Sequence, residues 1–364
     1  MNDTTMKKAE AFADRLLTLA LAVPLIILTL LFAGALLGPA GAQESTPETG
    51  TLADCGTDLR TTLSEDQRRS IAGTAATIPA GEGLFWKIEK AGVAPSYLLG
   101  TIHLPDPRVT RLRPHVAAAL EAADRTVLEL SEIADPAAMA AAMFTMPDIM
   151  MLPDEKTLET ILDDAQYRTV ADGLATKGIP ILAMNRMQPW FISMSLATPS
   201  CPALGEDDPA AALDSILAKR TIENGRAVLG LETVDEQLSA LASMPLDTQI
   251  EQLVATMGYL GDVNDMMETM VRIYEDEEIA ALMPTLQALF PDAEAVVGGS
   301  EAFAAFEKEI IDKRNELMTE RMIPMLEDGN SFIGVGALHL IGKTGIVSGL
   351  RERGWTVTRQ ERGA

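Results

Sequence analysis

Two short segments near opposite ends of the chain share one pattern, and this pattern constrains the fold more than any other feature. Residues 96–103 read SYLLGTIH and residues 332–339 read FIGVGALH, so each apolar run leads into Gly-x-x-His. A short apolar run rich in β-favouring residues predicts a buried strand. Each predicted strand would therefore deliver one imidazole, that of His103 or His339, where the strand ends.

The pairing of these two histidines is informative because the chain has only three histidines in 364 residues. A single buried histidine more often packs in a core with its hydrogen bonds satisfied than serves a site. In open α/β sheets, however, ligands gather at the carboxyl ends of strands, and a nearby glycine lets other groups approach closely. We therefore predict that His103 and His339 contribute to one site.

The composition narrows the class of protein and of partner. Hydrophobic residues make up 47% of the chain, enough for a sizeable core, and the formal net charge is −24. The roughly 320 residues after position 42 suffice for one large domain. The strong negative charge argues against nucleic acid as a partner, because phosphate recognition needs clustered Lys and Arg.

The first 42 residues have the features of a targeting segment. Lys7 and Lys8 precede an apolar stretch over 16–37, and Ala40-Gly41-Ala42 resembles a signal-peptidase site. The stretch is also long enough to span a bilayer, so an uncleaved anchor is the alternative, with membrane attachment through 16–37. Either reading predicts an exported protein, periplasmic or anchored to the membrane and facing the periplasm.

The rest of the chain divides into a linker with an N-terminal helix over 43–83 and one domain over 84–364. Cys55 and Cys201 are the only cysteines. In an exported protein, two cysteines far apart in sequence predict one disulfide. Neither belongs to a Cys-x-x-Cys motif, so zinc-finger and thioredoxin chemistry have no support.

Periodicity predicts an α/β protein with a central sheet and large helical insertions. The predicted strands alternate with long helical stretches, of which those over 136–196 and 246–326 are the largest, and the chain closes with a β-α-β unit. His115 is predicted to be a surface or capping residue. The predicted strands span 84–89 and 97–101 (a hairpin), 125–130, 227–231, 331–335 and 355–359.

Acidic residues at strand ends are the main candidates to join the histidines. Glu129 lies in the predicted strand 125–130, where a carboxylate costs several kcal/mol unless it is paired, hydrogen-bonded or metal-bound; a solvated strand-edge carboxylate is the alternative. Glu232 follows the strand 227–231 and is either a second site acid or a first-turn partner of the next helix. Glu132 is expected to be solvated. Arg314 can hold a carboxylate or an anion bidentately, or can make an exposed helical ion pair.

Taken together and in this order, the motifs resemble the TraB/PrgY/GumN family, most closely its GumN-like branch, over about residues 84–360. This resemblance implies an α/β core similar to erythromycin esterases and ChaN-like proteins, and a relation to the animal Tiki proteins, which are membrane-attached metal-dependent peptidases. One departure is Met318, where the family commonly has an aromatic residue after the Arg-Asn pair. The motifs are YLLGTIHL (97–104), VLE (127–129), GLET (230–233) with Glu236-Gln237, Arg314-Asn315, and VGALHL (335–340) with Gly342 and Gly345.

The residues and the resemblance support three hypotheses. In the first, His103, Glu129 and His339 hold a divalent ion in a hydrolase that acts on peptides or proteins; two imidazoles and a carboxylate form an open first shell. The resemblance favours Mn²⁺ or Co²⁺, and Zn²⁺ accepts the same ligands. The second is a metal-free, esterase-like hydrolase in which one histidine activates water. The third is a non-catalytic exported peptide-binding or regulatory protein.

The metal-dependent hypothesis assigns roles to further residues. Glu232 or Glu132 would act as general base and Arg314 would stabilise the oxyanion. The resemblance adds Asn315, next to Arg314, to the catalytic group that also contains Glu129.

Overall fold

The computed structural model describes residues 51–201, 212–290 and 308–362. The predicted targeting segment 1–42, with its apolar stretch 16–37, lies outside the described residues. Within the described ranges, no helix combines the length and the apolar character needed to cross a membrane.

A mixed six-stranded sheet forms the centre of the molecule. Its spatial order is β4-β3-β5-β2-β1-β6. The four strands β2 to β5 run parallel to one another, whereas β1 pairs antiparallel with both β2 and β6. The strands are β1 (Phe85–Glu89), β2 (Ser96–Thr101), β3 (Arg125–Leu128), β4 (Ala227–Gly230), β5 (Ser331–Gly336) and β6 (Thr356–Arg359).

Helices cover both faces of this sheet and form the large insertion between β3 and β4. Single turns of 3₁₀ helix lie at Leu52–Asp54, Leu59–Thr62, Ser131–Ala134 and Ala337–His339, and a π turn spans Lys308–Asp312. The α-helices of the described residues are α1 (Glu65–Ala75), α2 (Pro107–Thr110), α3 (Pro114–Ala122), α4 (Pro136–Phe144), α5 (Pro147–Met150), α6 (Leu158–Ile161), α7 (Asp164–Thr176), α8 (Ile181–Met184), α9 (Pro189–Leu196), α10 (Leu213–Glu223), α11 (Val234–Ala242), α12 (Leu246–Gly258), α13 (Val263–Asp276), α14 (Ile279–Leu289), α15 (Lys313–Asp328) and α16 (Ile346–Glu352).

Alternation along the strands divides the core between the two faces. Leu99, Leu128 and Phe332 pack on the face that α13 covers. Their strand neighbours, such as Leu98 and Ile333, pack on the opposite face with apolar residues of α15 and α16. Because both faces are buried, the strands read as continuous apolar runs, which is typical of parallel strands between helices.

Strand register brings four chain segments to the same edge of the sheet. Thr101 lies opposite Gly336 at the ends of β2 and β5, and Leu128 lies opposite Gly230 at the ends of β3 and β4. The carboxyl ends of the four parallel strands are therefore adjacent. This edge is where an open α/β sheet places ligands and catalytic groups.

The predicted α/β class and the predicted hairpin of β1 and β2 are confirmed. Other predictions need correction. The strand 125–130 is shorter, because it ends at Leu128. The closing β-α-β unit is present, but its two strands are not neighbours: β2 and β1 lie between β5 and β6, and β6 pairs with β1. The resemblance to the erythromycin-esterase and ChaN-like core stays a prediction.

A disulfide fixes the N-terminal segment to the body. Cys55 and Cys201 are bonded, with their Cα atoms 5.9 Å apart, as the cysteine count predicts. The backbone N–H of Leu52 also donates to the buried carboxylate of Asp106. Leu52–Asp54 also contacts α13, so the N-terminal segment is held beside α13 and the residues that follow His103.

Candidate active site

The side chains that follow the four parallel strands converge in one buried cluster. His103 lies two residues after β2, Glu129 directly after β3, Glu232 two residues after β4 and His339 three residues after β5. All four are at least nine-tenths buried. Because these side chains are shielded from bulk solvent, each of them needs a hydrogen-bond partner within the site.

Gly336, the last residue of β5, lies at the centre of this group. A Cβ atom built on Gly336 would lie 3.2 Å from Glu129 Oε1, 3.4 Å from His339 Cδ2 and 3.9 Å from His103 Nε2. The three side chains therefore surround one small space, which the absence of a side chain at position 336 keeps open. The structure thus brings together the three residues that the sequence proposes as metal ligands.

Glu129 is fully hydrogen-bonded inside the protein. Its Oε1 accepts the backbone N–H of Gly336 at 2.7 Å, and its Oε2 accepts from Gln237 Nε2 and Arg314 Nη2, each at 2.9 Å. Burial opposes ionisation, but the rings of His339 and His103 and the guanidinium of Arg314 together lower the pKa of Glu129 to about 2. Glu129 is therefore a buried carboxylate.

Arg314, on α15, joins this carboxylate to a second one. Its Nε donates to Glu232 Oε1 at 2.9 Å, and its Nη2 donates to Glu232 Oε2 at 2.7 Å as well as to Glu129. The pairing with Glu232 is bidentate, the strongest form of this contact. Two carboxylates and one guanidinium leave the trio with one net negative charge in a buried space, which favours a cation nearby.

Both imidazoles are held through Nδ1. His103 Nδ1 lies 2.7 Å from Asp214 Oδ2 on α10, and His339 Nδ1 lies 2.6 Å from Asn315 Oδ1 on α15. The first contact has an ion-pair distance but does not meet the geometry of a regular hydrogen bond. Each ring thus directs Nε2 toward the Glu129 side; Nε2 of His339 lies 3.9 Å from Glu129 Oε1.

The two histidines differ in their electrostatic surroundings. Burial disfavours the charged form of both rings. At His103 the carboxylate of Asp214 outweighs burial and raises the pKa above its ordinary value. At His339 burial acts together with the charge of Arg314, and the pKa falls to about 3. His339 is therefore a neutral imidazole at neutral pH.

Two residues of the site have no role in the sequence analysis. Gln237, on α11, donates to Glu129 and is fully buried; it appears in the family motif, but a helical Gln gives no signal of its contact. Asp214 is the second residue of α10 and is 2% exposed. In sequence it looks like an ordinary acidic residue in a first helical turn, and only the tertiary structure shows that it faces His103.

Two other residues lie apart from this group. Glu132 is half-buried and accepts a hydrogen bond from its neighbour Ser131, and no contact joins it to the histidines among the described residues. His115 was predicted as a surface or capping residue. That prediction needs correction, because its ring is half-buried and packs edge-on against Phe85 with the ring centroids 5.5 Å apart.

Comparison with known proteins places the chain in a family. The model of the TraB/PrgY/gumN family matches residues 84–359, which include every strand and every residue of the site. The chain belongs to the TraB/PrgY/gumN family. The resemblance inferred from its motifs is thus confirmed. No solved structure matches this member of the family.

Two curated proteins are similar to this TraB/PrgY/gumN member at low identity. Metalloprotease TIKI2 of Xenopus tropicalis is 24% identical over 307 residues, which cover 72% of this chain and 57% of that protein. Metalloprotease TIKI2 of Danio rerio is 23% identical over 314 residues, covering 72% of this chain and 58% of that protein. The chain spans less than two thirds of the length of these relatives.

The donor atoms of the site suit a divalent cation, although they are not drawn together as a finished metal site. Within the described ranges, no three His, Cys, Asp or Glu side chains already surround one point at ligand distance. Glu129 Oε1 and His339 Nε2 are 3.9 Å apart, whereas two ligands of a tetrahedral ion with bonds near 2.1 Å lie about 3.4 Å apart. A closure of about half an ångström would thus bring these two atoms to ligand separation.

Proposed function

We propose that the chain is an exported, metal-dependent hydrolase that cleaves peptide bonds. The observation that carries the proposal is the arrangement around Gly336: two imidazoles with Nδ1 already engaged present Nε2 toward a buried, ionised carboxylate. Histidine ligands of metal ions are usually held through the other ring nitrogen in this way. The similarity to proteins named metalloproteases supports the choice of reaction.

In this proposal His103, His339 and Glu129 hold the ion, with Mn²⁺ or Co²⁺ favoured by the family resemblance and Zn²⁺ also accepted. A divalent ion at this position would supply Lewis acidity toward a peptide carbonyl and would lower the pKa of a water molecule. Oε1 of Glu129 can serve the ion while it accepts the Gly336 N–H, because a carboxylate oxygen has more than one lone-pair site.

The remaining residues of the site orient these groups and balance their charge. Arg314 donates hydrogen bonds to both Glu129 and Glu232, and its guanidinium would stabilise a developing oxyanion. For Glu232 to act as general base, it would have to release one of its two contacts with Arg314. Asn315 contacts the ring of His339 through Nδ1. Among the described residues, no contact joins Glu132 to either histidine.

Export is the second part of the proposal. A disulfide between Cys55 and Cys201 is favoured in an oxidising compartment, and the segment 1–42 has the sequence features of a signal peptide or an anchor. We place the protein in the periplasm, either released or attached through residues 16–37, with peptides or proteins as substrates.

A metal-free hydrolase is the second candidate, and one observation favours it. Both oxygens of Glu129 already accept hydrogen bonds from Gly336, Gln237 and Arg314, so the carboxylate is satisfied without an ion. In this scheme His103, backed by Asp214, activates the water, while Glu129 and Arg314 orient and stabilise the reacting groups.

The test is metal content and peptide hydrolysis of the purified protein after chelation and reloading with Mn²⁺, Co²⁺ or Zn²⁺. We expect one ion per chain, lost in His103→Ala and in His339→Ala. His115→Ala is the matched control, since the third histidine lies apart from the site. A folded wild-type chain that binds no ion, yet hydrolyses peptides, would replace the first candidate by the second. A chain that binds metal but cleaves no peptide would overturn the peptidase assignment and favour a binding or regulatory role.

A further inference from the structure

Asp214 is a buried carboxylate that contacts the site and that the sequence analysis did not identify. It is the second residue of α10, and its side chain is 2% exposed. Its Oδ1 accepts the hydroxyl of Thr101, the last residue of β2, at 2.9 Å. Its Oδ2 lies 2.7 Å from His103 Nδ1. A carboxylate in such a place costs several kcal/mol unless both oxygens are served.

The contact between Asp214 Oδ2 and His103 Nδ1 is the one that orients the imidazole. Oδ2 of Asp214 and Nδ1 of His103 are both buried, and among the described residues neither has a hydrogen-bond partner. At 2.7 Å, each of these two atoms is the ion-pair partner of the other. Contacts of this kind are often poorly aligned in a free enzyme and tighten in the working complex.

The chemistry of the carboxylate fixes where the imidazole proton lies. An ionised carboxylate only accepts hydrogen bonds, so a neutral His103 facing it must carry its proton on Nδ1. The lone pair is then on Nε2, the nitrogen that would lie 3.9 Å from a Cβ atom built on Gly336. At His339 a neutral amide, that of Asn315, makes the equivalent contact, but an amide can offer either its oxygen or its NH₂ group.

We propose that Asp214 is a positioning residue of the active site, which holds His103 in the Nδ1–H form so that the Nε2 lone pair faces Glu129. Thr101 orients Asp214 in turn, so β2 supplies the histidine and also the group that orders its partner. This inference rests on the proposed function for its catalytic meaning. The geometry of the ring is independent of it.

Replacement of Asp214 has a specific consequence. Without the carboxylate, Nδ1 loses its only acceptor, and the anion of Glu129 on the other side of the ring draws the proton to Nε2. The lone pair then points away from the site. A change of tautomer of this kind disables a histidine even when its position is unchanged. Loss of such an orienting contact typically lowers metal affinity or activity about 10- to 100-fold.

The test measures the tautomer directly, by ¹⁵N NMR of the full-length protein in detergent, labelled at histidine and freed of metal by chelation. The chain has three histidines, so the ring signals can be assigned. At alkaline pH we expect wild-type His103 as the Nδ1–H form, and a shift to the Nε2–H form in Asp214→Ala and Asp214→Asn. Asp235→Asn is the matched control: Asp235 is the second residue of α11, as Asp214 is of α10, but is exposed.

Two results separate this inference from the proposed function. Unchanged ¹⁵N shifts of His103 in both Asp214 variants would overturn the positioning role, whatever the protein hydrolyses. A tautomer change in both variants, with hydrolysis reduced about 10- to 100-fold in kcat/KM, supports it. Failure of the wild-type chain to bind metal or cleave peptides would leave the tautomer result readable, because the spectra are recorded without metal or substrate.

Discussion

Gly336→Ala is the substitution that most directly tests the site geometry. It adds one methyl group and changes no charged or titratable side chain. The backbone of Gly336 has φ −51° and ψ 135°, which alanine adopts without strain. Any effect must therefore come from the space that the methyl group fills, which is the space shared by Glu129, His103 and His339.

The contacts of the added methyl group determine how much stability and activity the Gly336→Ala variant should lose. The new carbon would lie 3.2 Å from Glu129 Oε1 and 3.4 Å from His339 Cδ2, whereas favourable contacts lie at about 3.5–4.0 Å. A shift of a few tenths of an ångström relieves this crowding, so we expect a loss of about 1 kcal/mol in unfolding free energy, at the low end for overpacking. Hydrolysis should fall about 100-fold or more, because the methyl group separates the reacting groups.

Gly334→Ala provides the control for overpacking in the same strand. Its new carbon would lie 2.9 Å from Leu128 Cδ2 and 3.2 Å from Leu217 Cδ1. These two atoms are ends of apolar side chains, and the next atom, Thr101 Cγ2 at 3.7 Å, lies at an ordinary van der Waals distance. Stability should therefore fall by about 1–3 kcal/mol, with metal affinity and hydrolysis much less affected than in Gly336→Ala. Urea unfolding, metal titration and peptide hydrolysis are measured on both variants. Wild-type metal affinity and turnover in Gly336→Ala would refute the claim that the catalytic groups surround this space.

Two further predictions concern charge pairs. Arg314→Ala leaves Glu129 and Glu232 buried without their shared cation, so the unfolding free energy should fall by about 3–5 kcal/mol in urea titrations. An unchanged urea midpoint would show that other groups compensate the charge of the two carboxylates. Hydrogen bonds from Arg321 lower the pKa of Glu236 from 4.5 to about 2, so the pair stabilises the fold above pH 4.5 and loses this effect as the pH falls toward 2. The side chain of Glu236 is 35% exposed, which reduces the contribution to about 1 kcal/mol at neutral pH. Glu236→Gln should remove that amount, and a variant with the wild-type acid unfolding curve would contradict it.

Much of the site could be predicted because strand ends are visible in sequence. His103, Glu129, Glu232 and His339 each follow an apolar run, and parallel strands bring such ends to one edge. The position of Glu129 was only partly predicted: it lies just beyond β3, since the strand ends at Leu128. The elements of the closing β-α-β unit were predicted but not their pairing, because local periodicity cannot show that β1 and β2 lie between β5 and β6.

The sequence by itself determined the α/β class, the apolar strands buried on both faces and the two histidines placed by glycine-containing strand ends. These features depend on local periodicity and on residue chemistry, which the order of residues carries. Only the tertiary structure decided that Asp214 faces His103, that Gln237 reaches Glu129 and that Arg314 bridges two carboxylates. These contacts join residues about 80 to 190 positions apart in the sequence. Asp214, Gln237 and Arg314 lie on helices, where their polar side chains look like any others in sequence. Which residue each of them contacts depends on how the helices pack on the sheet.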